Sequence, residues 1–179
     1  LDITANVYPY VAGATGLDAA MPPWVQEGGH DAWVARLRDP QIRARVLAQM
    51  RAPTTDWESL YQLAGSAENV ILIGFKNPAL RIYTGQTLAQ VAAARGATPE
   101  DTIIDLVIED DHRVDTAYVL MSEENIERNL RWHHTMIGSD EGSYTPEEPF
   151  TQFNPHPRAY GSFARFLGYY VRERRVMPL

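Results

Sequence analysis

Two strand signals stand near opposite ends of this chain, and each finishes on a residue with a polar, chemically useful side chain. From Asp2 to Tyr10, apolar Ile3, Ala5 and Val7 alternate with polar Asp2, Thr4 and Asn6, the period of a half-buried strand, and Pro9 ends it close to Tyr8. The second run, Thr135 to Ser139, is a short apolar strand that finishes in Asp140. A carboxylate at such a position projects from the carboxyl edge of a sheet, the rim on which barrel active sites are built. Ser139-Asp140-Glu141-Gly142 is equally an ordinary turn composition, so local sequence leaves a plain turn and a catalytic acid both open.

Between these strands the chain reads as an α+β stretch, roughly Asp31 to Trp132, with no site chemistry of its own. Ala12 to Asp18 reads as an irregular loop of small residues that Pro22-Pro23 prolongs. Asp31 caps a short helix through Leu37, and Asp39-Pro40 starts a second through Met50, because Asp accepts from exposed N–H groups and Pro suits the first helical position. Val70 to Ile73 is an apolar strand. Thr87 and Gln90 form a capping box for a helix ended by Gly96, and Thr98-Pro99-Glu100-Asp101 opens another. Ala117 to Met121 reads as a strand, and Ser122-Glu123-Glu124 opens a helix toward Trp132. After Asp140, Glu141 to Asn154 is a polar loop of lid length. Phe163, Phe166, Leu167, Tyr170 and Val171 then recur at helical spacing and read as core.

Composition narrows the function classes. A chain of 179 residues is long enough for one sizeable core or a domain with an appendage. There is no cysteine, which excludes disulfides and thiolate metal sites. No run reaches membrane-spanning length, and Leu1-Asp2-Ile3-Thr4 lacks the basic start of a signal peptide, so a cytoplasmic protein with no membrane partner is expected. The first residue is not Met, which fits a processed or an excised segment, excision being the favoured reading. A net charge of -7 argues against nucleic acid, whose binding needs clustered cations to release counterions. Arg172, Arg174 and Arg175 do cluster, but cations suit a helix C-terminus.

Four motifs in order, Tyr8-Pro9-Tyr10-Val11-Ala12-Gly13-Ala14-Thr15, Pro22-Pro23-Trp24, Met136-Ile137-Gly138-Ser139-Asp140, and His156-Pro157-Arg158-Ala159-Tyr160-Gly161-Ser162-Phe163, resemble the N-acyl-D-amino-acid deacylase (D-aminoacylase) family of the amidohydrolase superfamily. The resemblance runs along essentially the whole chain and implies an α/β fold: the C-terminal part of a (β/α)8 TIM barrel, with an α+β insertion between its last two strands. The implied division is a barrel strand and active-site loop over 1–30, a small inserted domain over 31–132, and the last strand, lid and helix over 133–179. It further implies a zinc-dependent hydrolase of N-acyl-D-amino acids, of which this segment alone is inactive. The small-molecule substrate and the rest of the parent barrel are the expected partners, with a homo-oligomer open. A related amidohydrolase acting on another or a cyclic amide, and a non-catalytic α+β binding module, are the competing readings.

In that family the Asp of Gly-Ser-Asp transfers protons, which maps to Asp140, and the substrate carboxylate is held by the Tyr and Arg that map to Tyr8 and Arg158. Amide hydrolysis needs an activated water and a protonated leaving amine, and one carboxylate can serve both in turn. The plain alternatives are a strand-end aromatic for Tyr8 and, for Arg158, a helix-start residue paired with a Glu of the preceding loop. Two positions depart from the family: Ala14 replaces a carboxylate-binding Ser, beside Thr15 as a substitute, and Glu141 replaces a Gly. The family's zinc ligands precede the region represented. His133 and His134 are adjacent and diverge, His112 lies in an acidic run, His30 has no spaced partner, and His156 reads as orienting its loop, so no metal site is expected from this chain alone.

Overall fold

The computed structural model describes residues 2–147 and 154–178. It divides into two compact units, residues 14–120 and the combination of 1–13 with 121–179. The first contains the strands β2 (Ala12–Gly16), β3 (Val70–Gly74) and β4 (Asp115–Val119) in the order β2-β4-β3, the unit boundary falling within β2. β3 and β4 run antiparallel, with Val70 opposite Tyr118 and Leu72 opposite Thr116.

Helices α1 (His30–Arg38), α2 (Pro40–Arg51), α3 (Leu60–Ala64), α4 (Leu88–Arg95) and α5 (Pro99–Asp110) complete that unit. Their boundaries follow local chemistry. The Asp39 carboxylate accepts from the N–H groups of Gln41 and Ile42, Thr87 and Gln90 make a reciprocal capping box, Gly96 takes a left-handed conformation after α4, and Thr98 accepts from Asp101 N–H. Asp31 differs from expectation: it lies in the first turn of α1, and Gly29 holds the cap position. The apolar faces converge on one core that includes Leu37, Met50, Leu72, Leu88, Leu106 and Tyr118.

The second unit pairs β1 (Ala5–Val7) with β5 (Thr135–Ile137) in parallel, Ala5 facing Thr135 and Val7 facing Ile137. Ala5 N–H donates to His134 O at 3.0 Å, and Gly138 N–H to Val7 O at 3.1 Å. Parallel neighbours need a long crossover, which the intervening chain supplies. Helix α6 (Glu123–Leu130) packs on both strands, and α7 (Arg158–Arg165) continues into α8 (Phe166–Glu173). The turns of α8 are widened, with Arg174 N–H donating to Tyr169 O, five residues back, at 2.7 Å. Ile126, Leu130, Tyr170 and Val176 form this unit's small core.

Two further expectations are corrected. Ala12 to Asp18 is not irregular, because residues 12–16 form β2 and Leu17–Ala20 a tight helical turn. Small residues give no strand signal of their own; pairing with β4 supplies the structure. Phe163 and Leu167 are exposed rather than core, Phe163 at 58%, while Tyr170 on the same helical run is fully buried. The helix α6 groups with β1 and β5, and residues 14–30 group with the α+β unit, the compact units dividing at 13/14 and 120/121. The physical reason is side-chain packing: Ile126 and Leu130 bury against Val7 and Ile137, and Leu17 and Val25 bury with Leu37 and Leu106. Of the polar loop expected from Glu141 to Asn154, residues 148–153 lie outside the described residues.

Candidate active site

Parallel pairing has a direct consequence for side chains at the strand ends. Because β1 and β5 run the same way in register, Tyr8 and Asp140 leave the sheet from the same edge. Asp140 adopts φ 51, a left-handed conformation that Asp tolerates better than most residues, and its carboxylate is 74% exposed. Arg158, the first residue of α7, is buried to 8% exposure. Its guanidinium lies 4.9 Å from the centre of the Tyr8 ring, in cation–π contact, with Nη2 3.8 Å from Asp140 Oδ2. The three site residues expected from sequence are thus gathered in one place.

Glu141, the departure expected to add a negative charge beside Asp140, also reaches Arg158. Its Oε2 lies 3.3 Å from Arg158 Nε, and its side chain is only 17% exposed. The pairing is ionic rather than hydrogen-bonded, since Arg158 Nε has no hydrogen-bond partner among the described residues. Glu141 Oε1 accepts from Gly142 N–H at 3.3 Å and from the Tyr144 hydroxyl at 3.4 Å. The signal was present as the replacement of the family's Gly, and the generic reading of Arg158 as paired with a Glu of the preceding loop is met by this residue.

His156 shapes the loop that delivers Arg158. Its Nδ1 accepts from Arg158 N–H at 3.0 Å, satisfying a donor at the start of α7, which Pro157 leaves without a side-chain cap. With Nδ1 an acceptor, a neutral ring carries its proton on Nε2. Burial pushes its proton affinity below the ordinary value and the Arg158 charge pushes the same way, against Glu141 and a backbone hydrogen bond at Ala12. The ring also stands edge-on to Tyr10, centroids 5.3 Å apart. Tyr10 donates to Pro157 O at 3.3 Å, and its hydroxyl would lie 2.3 Å from a Cβ at residue 161, so a side chain there would displace it from this contact. Arg165 donates from Nε to Pro9 O at 2.7 Å and stacks near Tyr10 and Tyr169. These contacts fix the arms on which Tyr8 and Arg158 stand.

The remaining departure, Ala14, lies on β2, and the neighbouring Thr15 hydroxyl accepts from Arg113 Nη2 at 3.2 Å. Among the described residues no three His, Cys, Asp or Glu side chains gather as a metal-holding group. Contrary to the divergence expected of adjacent residues, His133 and His134 lie ring against ring, centroids 3.8 Å apart. No step through a metal is assigned to the described residues.

Comparison with known proteins gives the chain a fold class. The chain aligns over 98% of its length with the crystal structure of D-aminoacylase, described as defining a novel subset of amidohydrolases, at 28% identity and a TM-score of 0.57, and covers 25% of that chain. N-acyl-D-glutamate deacylase from Bordetella bronchiseptica, solved with zinc and a phosphonate inhibitor, aligns over 97% of this chain and 25% of its own with a TM-score of 0.57, and at 23% identity shows the fold alone. The fold is that of part of an amidohydrolase.

Among curated proteins, D-aminoacylase of Alcaligenes xylosoxydans xylosoxydans is 35% identical over 96 residues, 54% of this chain and 17% of that protein. N-acyl-D-glutamate deacylase of the same organism is 34% identical over 95 residues, 53% of this chain and 17% of its own length. No family model matches. The chain is similar to these D-amino-acid deacylases over about half of its own length, and it spans about a sixth of the length of these curated relatives.

Proposed function

We propose that the chain is the C-terminal barrel segment of a metal-dependent hydrolase that cleaves the amide bond of N-acyl-D-amino acids, releasing a carboxylate and a free D-amino acid. In this reading β1 and β5 are the last two barrel strands, and residues 14–120 form the small domain inserted between them. The metal, zinc in the resemblance, is held by ligands outside this chain, and the rest of the barrel covers apolar residues such as Met136, half exposed at 50%. The reaction takes place in the longer protein; the segment alone is inactive.

The observation that carries the reading is the convergence of Tyr8, Asp140 and Arg158 at one strand edge. Asp140 takes a proton from the attacking water and returns it to the leaving nitrogen as the amide breaks, so one exposed carboxylate serves as base and then as acid. Arg158 presents a planar set of donors to the substrate's α-carboxylate, and the Tyr8 hydroxyl adds a directional donor. The Tyr8 ring beneath the guanidinium keeps it aimed. His156 and Gly161 hold the start of α7 in place for this contact.

The test contrasts two substitutions in the full-length enzyme. Asp140→Asn removes proton transfer and should lower kcat by about 10²–10⁴-fold with metal content and KM nearly unchanged. Arg158→Ala should chiefly raise KM, because the carboxylate it holds is present in ground and transition states alike. Both are measured on an N-acyl-D-amino acid with metal assayed in each sample, and a fully active Asp140→Asn enzyme would sink the mechanism.

A further inference from the structure

We propose that Glu141 is a resident carboxylate at the arginine seat and sets how strongly the site favours substrates that bring a carboxylate of their own, an inference that rests on the reading of Arg158 above. Glu141 is not a loose surface acid. One oxygen is held by Gly142 N–H and the Tyr144 hydroxyl, which leaves the other 3.3 Å from Arg158 Nε. Asp140 stands 3.8 Å from another nitrogen of the same guanidinium.

Two carboxylates around one guanidinium leave the seat with a net negative charge, so an incoming carboxylate is repelled as well as attracted. At the same time Arg158 Nε, buried and without a hydrogen-bond partner among the described residues, is a donor that Glu141 approaches but does not satisfy. A buried donor left in that state favours any acceptor placed to meet it. The seat is therefore built for an acceptor yet biased against an anionic one. A neutral group, such as a carboxamide, approaches the guanidinium without the charge penalty. The site should then discriminate less sharply between an N-acyl-D-amino acid and its neutral carboxamide than a seat without Glu141 would.

The experiment uses the full-length, metal-loaded enzyme and compares an N-acetyl-D-amino acid with its C-terminal carboxamide in wild type, Glu141→Gln, Arg158→Ala and the double variant. Gln keeps an oxygen for Gly142 and Tyr144 while removing the charge, and Glu141→Gly serves as a second variant in which no side chain can be misplaced. Expected is a KM for the acid lower by on the order of tenfold in both Glu141 variants, carried by KM rather than kcat, with the carboxamide KM in place. In the Arg158→Ala background the Glu141→Gln gain should shrink, since the two act on one another. An acid KM unchanged or raised in the Glu141 variants, with Arg158→Ala still impaired, overturns this proposal and leaves the site reading standing. An acid KM unmoved by Arg158→Ala overturns the site reading and this proposal with it.

Discussion

The two compact units of this molecule solve burial differently. Residues 14–120 enclose a broad apolar core, from Leu17 and Leu37 through Met50 and Leu72 to Leu106 and Tyr118, all nearly inaccessible to solvent. The unit built from β1, β5 and α6 to α8 buries far less, with Ile126, Leu130, Tyr170 and Val176 at its centre, and leaves Ile3, Trp132, Met136, Phe163 and Leu167 exposed. Yet the second unit holds the converging Asp, Arg, Tyr and His. The larger apolar core and the proposed chemistry thus fall in different stretches of the chain. The larger unit also leaves Leu63 and Ile82 exposed, so the contrast lies in the size of the core and not in the exposed apolar residues.

Substitutions can break this contrast. The largest effect on activity is the loss proposed for Asp140→Asn, which should leave the unfolding transition in place because the side chain is mostly exposed and packs on little. Leu106→Ala should do the reverse, lowering unfolding free energy by about 2–5 kcal/mol in chemical denaturation, since Leu106 is completely buried and its loss leaves a cavity. A Leu106→Ala protein as stable as wild type would show that the 14–120 core is not what holds that unit.

Acid should also separate the units. Burial lowers the proton affinity of His156 from an ordinary value of 6.5, so in the fold its neutral form is favoured. A group with a depressed folded pKa contributes stability above the unfolded value and loses it as pH falls toward the folded one. The unit with β1 and β5 should therefore begin to weaken as pH drops below about 6.5. In the other unit, hydrogen bonds from Arg43 and Thr98 hold the Asp101 carboxyl below its ordinary 3.8, so that contribution persists until pH falls below that value. Amide NMR resonances followed from pH 7 downward are expected to change first around His156 and α7; simultaneous change near Asp101 would contradict this.

Smaller effects sharpen the picture. Asp39→Ala removes the carboxylate that accepts from two N–H groups at the start of α2 and should cost about 1 kcal/mol. Phe163→Ser, on an exposed face of α7, should shift the stability of the chain itself by less than about 0.5 kcal/mol. A large loss there would mean that the residue is covered in solution.

Much of the fold was legible before any coordinates. Helix starts at Asp39, Thr87, Thr98 and Ser122 and the stop at Gly96 are written locally, because a cap needs only a short polar side chain or a glycine within three residues of the N–H or C=O it serves. The strands at Val70 and near Ala117 were legible for the same reason: apolar periodicity is a property of the segment. The site residues Tyr8, Asp140 and Arg158 were picked from motifs, and their closeness follows from a parallel register between segments more than a hundred residues apart in the chain.

What the amino-acid order by itself determined, then, is where elements begin and end and which side chains could do chemistry. Tertiary structure alone decided the rest. It made a strand of Ala12–Gly16 by giving it a partner, turned Phe163 outward while burying Tyr170 on the same helical run, and set Glu141 against Arg158 across a loop. Each of these depends on groups beyond the few neighbours over which periodicity, caps and turns act; for Arg158 the sequence offered a loop Glu as partner, and the tertiary structure decided that it is Glu141.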